Sequence, residues 1–296
     1  MQLSDNARGA VYMCVSMAAF TLNDTAMKAV TQTVPLFEAI ALRGVLALAG
    51  LIVLGMAMGS LRWRMSRPDA AAIGIRSVAE VGATALFLGA LIHMPLANLS
   101  AIMQALPLAV TLAAALVFGE TVGWRRMTAI VIGFVGVLII IRPGPQGFDV
   151  WSLMGLGSVA CVVVRDLATR RLSRGLPSVN VALWAALAVT VMGLVVTSIE
   201  GWQPLTAAQG ALIGAAAIAL LFGYMFAVMV MRVGDIGFVA PFRYTALVWA
   251  IFLGWLAFGS LPDAMTLFGA ALVVVTGVFT LWRERQAKRR NLPARV

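Results

Sequence analysis

The chain has 296 residues, of which 61% are hydrophobic and 11% are charged, with a formal net charge of +10. Average soluble domains carry about 25% charged residues, and a soluble protein this apolar would expose large adhesive patches. A soluble fold is therefore excluded. The basic excess would suit a nucleic-acid partner, but most of the basic residues lie between apolar segments, so we predict no nucleic-acid binding.

Ten apolar stretches follow one another, each about as long as a bilayer-spanning helix, which needs roughly 20 residues. The predicted spans are residues 9–30, 35–59, 69–92, 95–118, 124–141, 151–170, 178–199, 206–231, 238–258 and 263–282. Five spans in each half reverse the orientation of the second half in the membrane. The sequence thus predicts an all-α membrane protein with ten transmembrane helices in two inverted five-helix repeats.

The two halves align without gaps. An offset of 142 residues pairs Asp24 with Asp166, and an offset of 140 pairs Phe118 with Phe258. A nearly constant register with repeated order of spans indicates gene duplication and fusion. The predicted units are a first repeat at 1–142, a second, inverted repeat at 143–282, and a basic cytoplasmic tail at 283–296.

The 22 Lys and Arg residues predict the orientation. With the N-terminus inside, 16 fall in cytoplasmic segments and only Lys28 and Arg142 fall on the other side. Such an asymmetry is the positive-inside pattern. We therefore predict a multi-pass protein of the bacterial inner membrane with both termini cytoplasmic and with membrane lipids around it. The basic tail would contact anionic lipid. The oligomeric state is not predicted, and a monomer is compatible with the pattern.

Signatures of catalysis and of cofactors are missing from the sequence. No Walker motif is present, a single His is available, and the two cysteines, Cys14 and Cys161, lie in separate spans. A catalytic triad or a Cys/His metal site has too few residues to form. We predict no catalytic residues, no metal and no cofactor, and hence no enzyme.

The junction after the fourth span carries a family signature. This span contains Pro107 and ends in Phe118-Gly119-Glu120, whereas the second repeat has Pro241, unaligned with Pro107, and Ser260 in place of the acidic residue. With its five-plus-five spans and short loops, the chain resembles EamA-type members of the drug/metabolite transporter superfamily, in particular the YddG-type exporters of aromatic and other amino acids. The resemblance covers nearly the whole chain. It implies a carrier of small organic metabolites, with export the commoner direction.

One acidic residue lies deep in the third span. Glu80 is near its middle, and Arg76 lies one turn earlier. An ionisable group at this depth is expensive unless it has a partner or faces a watery cavity. Two interpretations remain open: Glu80 binds a substrate ammonium or a proton, or Arg76 and Glu80 form a clamp that joins helices.

A second charged feature is mirrored between the halves. Asp24 and Lys28 are four residues apart in the first span, and Asp166 and Arg170 occupy the aligned positions in the sixth. Because the second half is inverted, the two pairs are expected near opposite membrane faces. They suit two alternating gates, or alternatively plain ion pairs at the interface with long side chains reaching water.

Further gating candidates are the prolines and the histidine. Pro107 and Pro241 free backbone carbonyls and allow the fourth and ninth helices to bend. His93, at the outer end of the third span, titrates near neutral pH, although a lone His at a helix end is commonly just solvated.

Aromatic residues are concentrated in the second half. Residues 205–258 contain ten aromatics, and the aligned stretch 69–118 contains Phe87 and Phe118 only. One aromatic wall facing a polar wall suits an amphipathic organic substrate. The predicted aromatic contacts are Tyr244, Phe222, Phe226 and Trp184, and the predicted polar contacts are Glu80, Arg243, Gln104 and Asn98.

Taken with the resemblance, these residues predict a secondary transporter, an exporter of small organic metabolites such as amino acids, aromatic ones included. A zwitterion needs one anionic and one cationic contact, which Glu80 and Arg243 provide. Substrate would bind near the midplane while two bundles rock around it. The alternatives are an exporter of cationic drugs or nucleotide-linked metabolites, a lipid flippase, and a membrane enzyme.

Overall fold

A computed structural model describes residues 4–57, 59, 61, 65–119, 122–142, 149–173, 175–233 and 236–290. Three features of the sequence lie outside these residues: Glu120 of the Gly-Glu junction, the predicted repeat boundary after residue 142, and the last six residues of the basic tail.

Every regular element among the described residues is helical. In chain order the α-helices are α1 Asp5–Val30, α2 Leu36–Ala57, α3 Arg67–His93, α4 Leu96–Met103, α5 Leu106–Phe118, α6 Trp124–Ile141, α7 Val150–Arg170, α8 Ser178–Glu200, α9 Ala207–Arg232, α10 Ile236–Val239, α11 Thr245–Phe258 and α12 Ala264–Arg290. A short 3₁₀-helix, Ala240–Tyr244, joins α10 to α11.

Nine spans in the described part of the chain are long and apolar enough to cross a bilayer. Two of them are composite: α4 and α5 form one span over Leu96–Phe118, and the 3₁₀-helix and α11 form another over Ala240–Phe258. The 26 residues of α1 are long enough for a tenth span, but polar residues such as Asp24 and Lys28 lower its hydropathy. The predicted all-α fold of inverted repeats is confirmed.

Both proline-bearing spans are broken, at matched positions. The fourth span breaks at Gln104 and Ala105, and Pro107 lies in the first turn of α5. Proline is tolerated there because the first turn of a helix has no acceptor for its missing N–H. Pro241 lies in the first turn of the 3₁₀-helix, which ends at Tyr244. Gln104 and Tyr244 are 140 residues apart, so the two repeats break at equivalent points although their prolines do not align.

The principal helix pairs join one repeat to the other. Helix α1 packs on α9, α2 on α8, α3 on α7, α6 on α12, and α4 on α11. Exchanging the halves maps the α1–α9 pair onto the α7–α3 pair and leaves the other three pairs unchanged. Two inverted repeats related by an axis in the membrane plane produce this pattern.

Small residues allow the closest of these contacts. A Cβ at Gly193 of α8 would lie 2.8 Å from the amide nitrogen of Ala41 in α2. Likewise, a Cβ at Gly136 of α6 would lie 2.8 Å from the carbonyl oxygen of Gly269 in α12. Glycine is required because the backbones themselves touch, as is common between membrane helices.

The pairs are antiparallel, which fixes two faces of the bundle. We call the face where α1 begins and α12 ends the terminal face, and the other the opposite face. At the terminal face, Asp69 accepts hydrogen bonds from the Ser173 amide and hydroxyl, both at 2.9 Å. At the opposite face, His93 stacks on Trp151 with 3.5 Å between ring centroids, and Arg142 pairs with Asp263.

Candidate functional site

A cavity of about 510 Å³ lies between the two repeats. Its walls come from α1, α2, α3 and the α4–α5 break of the first repeat, and from α7, α8, α9 and the 3₁₀–α11 segment of the second. The volume is in the range of pockets that enclose a small organic molecule, about 300–1,000 Å³.

The first charged group of the cavity, which we call the central network, consists of Arg76, Glu80, Arg165 and Asp166. Glu80 pairs with Arg76 of its own helix at 3.6 Å and with Arg165 of α7 at 3.4 Å. Arg165 also pairs with the neighbouring Asp166 at 2.9 Å. These side chains are 13% to 28% exposed, so their charges are largely desolvated and hold one another in place. The network ties α3 to α7 across the repeat interface.

Arg76 is also fixed by neutral groups. Its guanidinium donates to the Thr169 hydroxyl at 3.1 Å and to the Val181 carbonyl oxygen at 3.3 Å. Thr169 is exposed at the terminal-face end of the cavity. Arg76 therefore links three helices, α3, α7 and α8, beside the end of the cavity that solvent reaches.

The second charged group, which we call the Arg43 cluster, comprises Asn23, Asp24 and Arg43. Arg43 is 7% exposed and donates through Nη1 to the Asn23 amide oxygen at 3.2 Å. The Asn23 amide in turn donates to Asp24 at 2.9 Å. Arg43 Nε has no hydrogen-bond partner. This cluster joins α1 to α2 within the first repeat.

The broken spans contribute Gln104 and Arg243 to the cavity, from the fourth and ninth spans respectively. Gln104 is 7% exposed. Counting all lining side chains, four arginines (Arg43, Arg76, Arg165 and Arg243) face three carboxylates (Asp24, Glu80 and Asp166). The cavity is therefore bipolar, with an excess of one positive charge.

The aromatic part of the wall is formed by Phe20, Phe87 and Tyr224. Phe20 and Tyr224 meet edge to face, with ring centroids 5.5 Å apart and planes at 84°. This is a favourable aromatic geometry. Met17 and Met103 add polarisable surface nearby.

Five of the predicted substrate contacts are not among the lining residues. Phe222 is 49% exposed on the outside of α9, and Phe226, one turn on, packs on Tyr12 at 5.7 Å. Trp184 and Asn98 are on helices that line the cavity with other residues, namely Ala185 and Ala186 of α8 and Leu96 and Ser100 of α4.

Tyr244 is the fifth of these residues. It is 6% exposed and packs against α12, where a Cβ added at Gly277 would collide with its hydroxyl. The helix break therefore directs Arg243 to the cavity and turns the neighbouring Tyr244 away from it. The sequence predicts Tyr244 as an aromatic substrate contact, whereas its side chain is not among those that line the cavity.

The predicted gating residues divide into three sets. Asp24, Asp166 and Arg76 line the cavity, whereas Lys28 and His93 lie at the opposite face and Arg170 is exposed at the terminal face. Pro107 and Pro241 lie at the helix breaks.

Lys28 differs from its expected pairing with Asp24. It donates instead to the carbonyl oxygens of Leu91 and Met94, the latter at 2.6 Å. The last carbonyls of a helix lack intrahelical donors and carry the negative end of the helix dipole. They are therefore a good site for an ammonium group at the C-terminus of α3.

The cavity also contains residues that the sequence did not single out. Arg43 and Arg165 were recognisable as charges inside apolar spans, and the cost of intramembrane charge was a sufficient signal for both. Phe20, Asn23 and Tyr224 had no comparable signal, because facing the cavity rather than lipid depends on how α1 packs against α9.

No group of three or more His, Cys, Asp and Glu residues among the described residues is arranged to hold a metal ion.

The sequence profile of the EamA-like transporter family matches this chain twice, at residues 7–142 and 149–282. The chain belongs to the EamA-like transporter family. The fold also resembles that of a protein solved by crystallography, with a TM-score of 0.64, 21% identity, and coverage of 95% of this chain and 99% of the other.

Three relatives are transporters of different solutes. The riboflavin transporter of Vibrio cholerae is 30% identical over 78% of this chain and 75% of its own length. The pseudopaline exporter of Pseudomonas aeruginosa is 23% identical over 90% of this chain and 93% of its own length. The S-adenosylmethionine uptake transporter of Rickettsia conorii is 22% identical over 67% of each chain.

These relatives and the family identify a multi-pass membrane transporter of small molecules, not an enzyme. None of the three is a YddG-type exporter of aromatic amino acids, so the finer resemblance stays a prediction. The matches to exporters and to uptake carriers likewise leave the direction of transport as a prediction.

Proposed function

We propose that this EamA-family member is a secondary carrier of small zwitterionic metabolites, amino acids in particular, and that it exports them from the bacterial cytoplasm across the inner membrane. The observation that carries the proposal is the bipolar cavity between the repeats, with carboxylates and arginines on its walls. A zwitterion carries an ammonium group for the carboxylates of the wall and a carboxylate for its arginines. Phe20, Phe87 and Tyr224 offer an apolar surface for the side chain of the substrate.

The mechanism that suits this architecture is alternating access. The substrate binds between two inverted repeats, and exchanging their conformations closes one face and opens the other. The broken fourth and ninth spans supply flexible points beside the cavity, at Gln104 and Tyr244. Within the central network, Glu80 keeps one carboxylate oxygen, Oε2, without a hydrogen-bond partner. Arg76 Nη2 lies 3.6 Å from that oxygen, so a substrate ammonium would bind Glu80 by displacing Arg76 from it.

The main competing solutes differ in charge. A cationic drug is opposed by the excess positive charge of the lining residues. A flavin-like solute is the second candidate, because the chain is 30% identical to a riboflavin transporter and the edge-to-face pair of Phe20 and Tyr224 offers ring surface.

The experiment is counterflow into liposomes containing the purified protein, with imposed pH gradients. Labelled L-phenylalanine, L-threonine, riboflavin and S-adenosylmethionine are compared, and empty liposomes are the control. The proposal predicts saturable exchange of at least one amino acid, larger than that of riboflavin. Exchange of riboflavin alone would replace the amino-acid assignment by the flavin, and exchange of no solute would contradict both.

A further inference from the structure

Arg43 is a buried cation without a counter-ion at bonding distance. Arg43 is only 7% exposed. No ion pair within 4 Å joins it to a described carboxylate, and its hydrogen-bond partner is the Asn23 side chain. A guanidinium has five N–H donors, and burying its charge is costly unless it is paired. The other lining arginine of the first repeat, Arg76, has both an acid and neutral acceptors.

The geometry of the guanidinium selects the kind of partner. Asn23 takes Nη1, whereas Nε has no partner. The edge formed by Nε and Nη2 is the one on which a planar carboxylate binds with two parallel hydrogen bonds. Arg43 lines the cavity, and its Nε is itself buried in this structure, so a solute carboxylate would take up this edge only after the wall around it opens.

From these contacts we infer that Arg43 is the carboxylate-binding residue of the cavity and determines selection for substrates with a free carboxyl group. The inference rests on the proposed function and deepens it: the carboxylate binds Arg43 in the Arg43 cluster, and the ammonium faces Glu80 in the central network. Arg243, the cation expected from the sequence, also lines the cavity, from the second repeat.

The test uses matched probes that differ only at the carboxyl group. Benzoate and benzamide, and L-phenylalanine and L-phenylalaninamide, are compared by their stabilisation of the purified protein against heat and by competition in counterflow. Wild-type protein is expected to prefer each acid to its amide by roughly 10- to 100-fold, from the strength of charge-assisted hydrogen bonds. Arg43→Gln should abolish that preference while leaving benzamide binding unchanged.

Two further variants separate binding from folding. Arg43→Lys keeps the charge but loses the planar pair of N–H donors, so it should retain only part of the preference for acids. Arg125→Gln removes an exposed arginine near the terminal face, which lies over the Trp124 ring, and should retain all of it. An unchanged preference in Arg43→Gln, or equal binding of benzoate and benzamide by wild-type protein, would overturn the inference. If benzoate is preferred but no amino acid is exchanged, the proposed function fails and the inference stands.

A second, independent observation concerns the two faces of the bundle. At the opposite face the ammonium of Lys28 lies over the Phe258 ring, 5.6 Å from its centroid. At the terminal face the guanidinium of Arg171 lies over the Phe118 ring, also at 5.6 Å. Phe118 and Phe258 are aligned at an offset of 140, and Arg171 is one residue beyond the aligned partner of Lys28. Each contact joins the end of one span to the end of a broken span from the other repeat.

We propose that these two cation–π contacts are the gate latches of the carrier, one at each face. In this structure the latch at the opposite face is reinforced, because Lys28 also binds the last carbonyls of α3. At the terminal face Arg171 is exposed and Phe118 is 39% exposed. The terminal face is therefore the one poised to open.

The latches are tested by measuring from which face of the membrane the cavity becomes more accessible in each variant. In a background without Cys14 and Cys161, Ser100→Cys in the cavity wall is labelled by a charged methanethiosulfonate added to one side of sealed vesicles at a time. Phe258→Leu should increase labelling from the opposite face about two- to five-fold, and Phe118→Leu should increase labelling from the terminal face to a similar extent. Labelling that increases from the same face in both variants, or that changes in neither variant, would overturn the proposal.

Discussion

Removing the carboxylate of Glu80 should weaken both the fold and transport. In Glu80→Gln the two arginines that approach it, at 3.6 Å and 3.4 Å, lose their shared counter-ion. Breaking a buried pair typically costs about 3–5 kcal/mol. Arg165 keeps Asp166 at 2.9 Å, and Arg76 keeps two neutral acceptors. We therefore expect a smaller loss, of about 2–3 kcal/mol, in line with hydrogen bonds to charged groups.

Such a loss corresponds to a decrease in melting temperature of about 5–10 °C at roughly 2–4 °C per kcal/mol. Intrinsic fluorescence of the detergent-purified protein during heating measures it, and counterflow per folded molecule measures transport. We expect a several-fold loss of transport as well, because Glu80 is the proposed ammonium acceptor. The double variant Arg76→Gln, Glu80→Gln measures the coupling between the two residues.

The outcomes of Glu80→Gln separate the two roles. Lower stability with normal transport per folded molecule would leave Glu80 as a clamp alone, and the ammonium site would have to lie elsewhere. Unchanged stability and unchanged transport together would refute the reasoning, because they would mean that neither arginine depends on the carboxylate.

Three further outcomes are expected. In the same cysteine-free background, Ser4→Cys should be labelled from the cytoplasm and Leu261→Cys from the periplasm, as the basic asymmetry predicts. At the opposite face, the hydrogen bond from Arg142 lowers the pKa of the Asp263 carboxyl below its usual range. The stability it contributes is therefore complete above about pH 4 and is lost as the pH falls towards the folded-state pKa, so wild-type protein and Asp263→Asn should differ in melting temperature at pH 7 and converge in acid. Gly193→Ala should lower the melting temperature, because its Cβ would lie 2.8 Å from the backbone of α2.

Each of these outcomes has a control. Gly214→Ala adds a Cβ where nothing lies within 4 Å, so an equal effect of both glycine variants would contradict the close-contact argument. A stability difference between wild-type protein and Asp263→Asn that persists unchanged in acid would contradict the assigned pKa shift. Labelling of both cysteines from the same side would reverse or refute the orientation.

The fold was predictable because bilayer thickness and residue charge act on short segments of sequence. Span lengths follow from bilayer thickness, and the helix breaks near Pro107 and Pro241 follow from the backbone N–H that proline lacks. Even the break in the second repeat was indicated, although its proline lies three residues before the helical break at Tyr244.

The site was less predictable, because it depends on which side of each helix faces the cavity. Depth in the membrane was enough to indicate Glu80 and Arg243. Phe222 is exposed on α9, whereas Tyr224, two residues further along the same helix, lines the cavity. The packing of α9 on α1 decides which of these two side chains faces the cavity. The number of aromatic residues in the second half of the chain predicted an aromatic wall from that half. In the structure, one ring of the Phe20–Tyr224 pair comes from α1, in the first half.

The central claim is that solute crosses the membrane through the cavity between the repeats. Ser100 lines that cavity from α4 and is partly exposed. The direct measurement is counterflow of labelled L-phenylalanine by protein that lacks Cys14 and Cys161 and carries Ser100→Cys. Counterflow is compared before and after complete modification with a methanethiosulfonate reagent. We expect that modification abolishes counterflow and that saturating L-phenylalanine slows the modification itself. Normal counterflow by fully modified protein would contradict it.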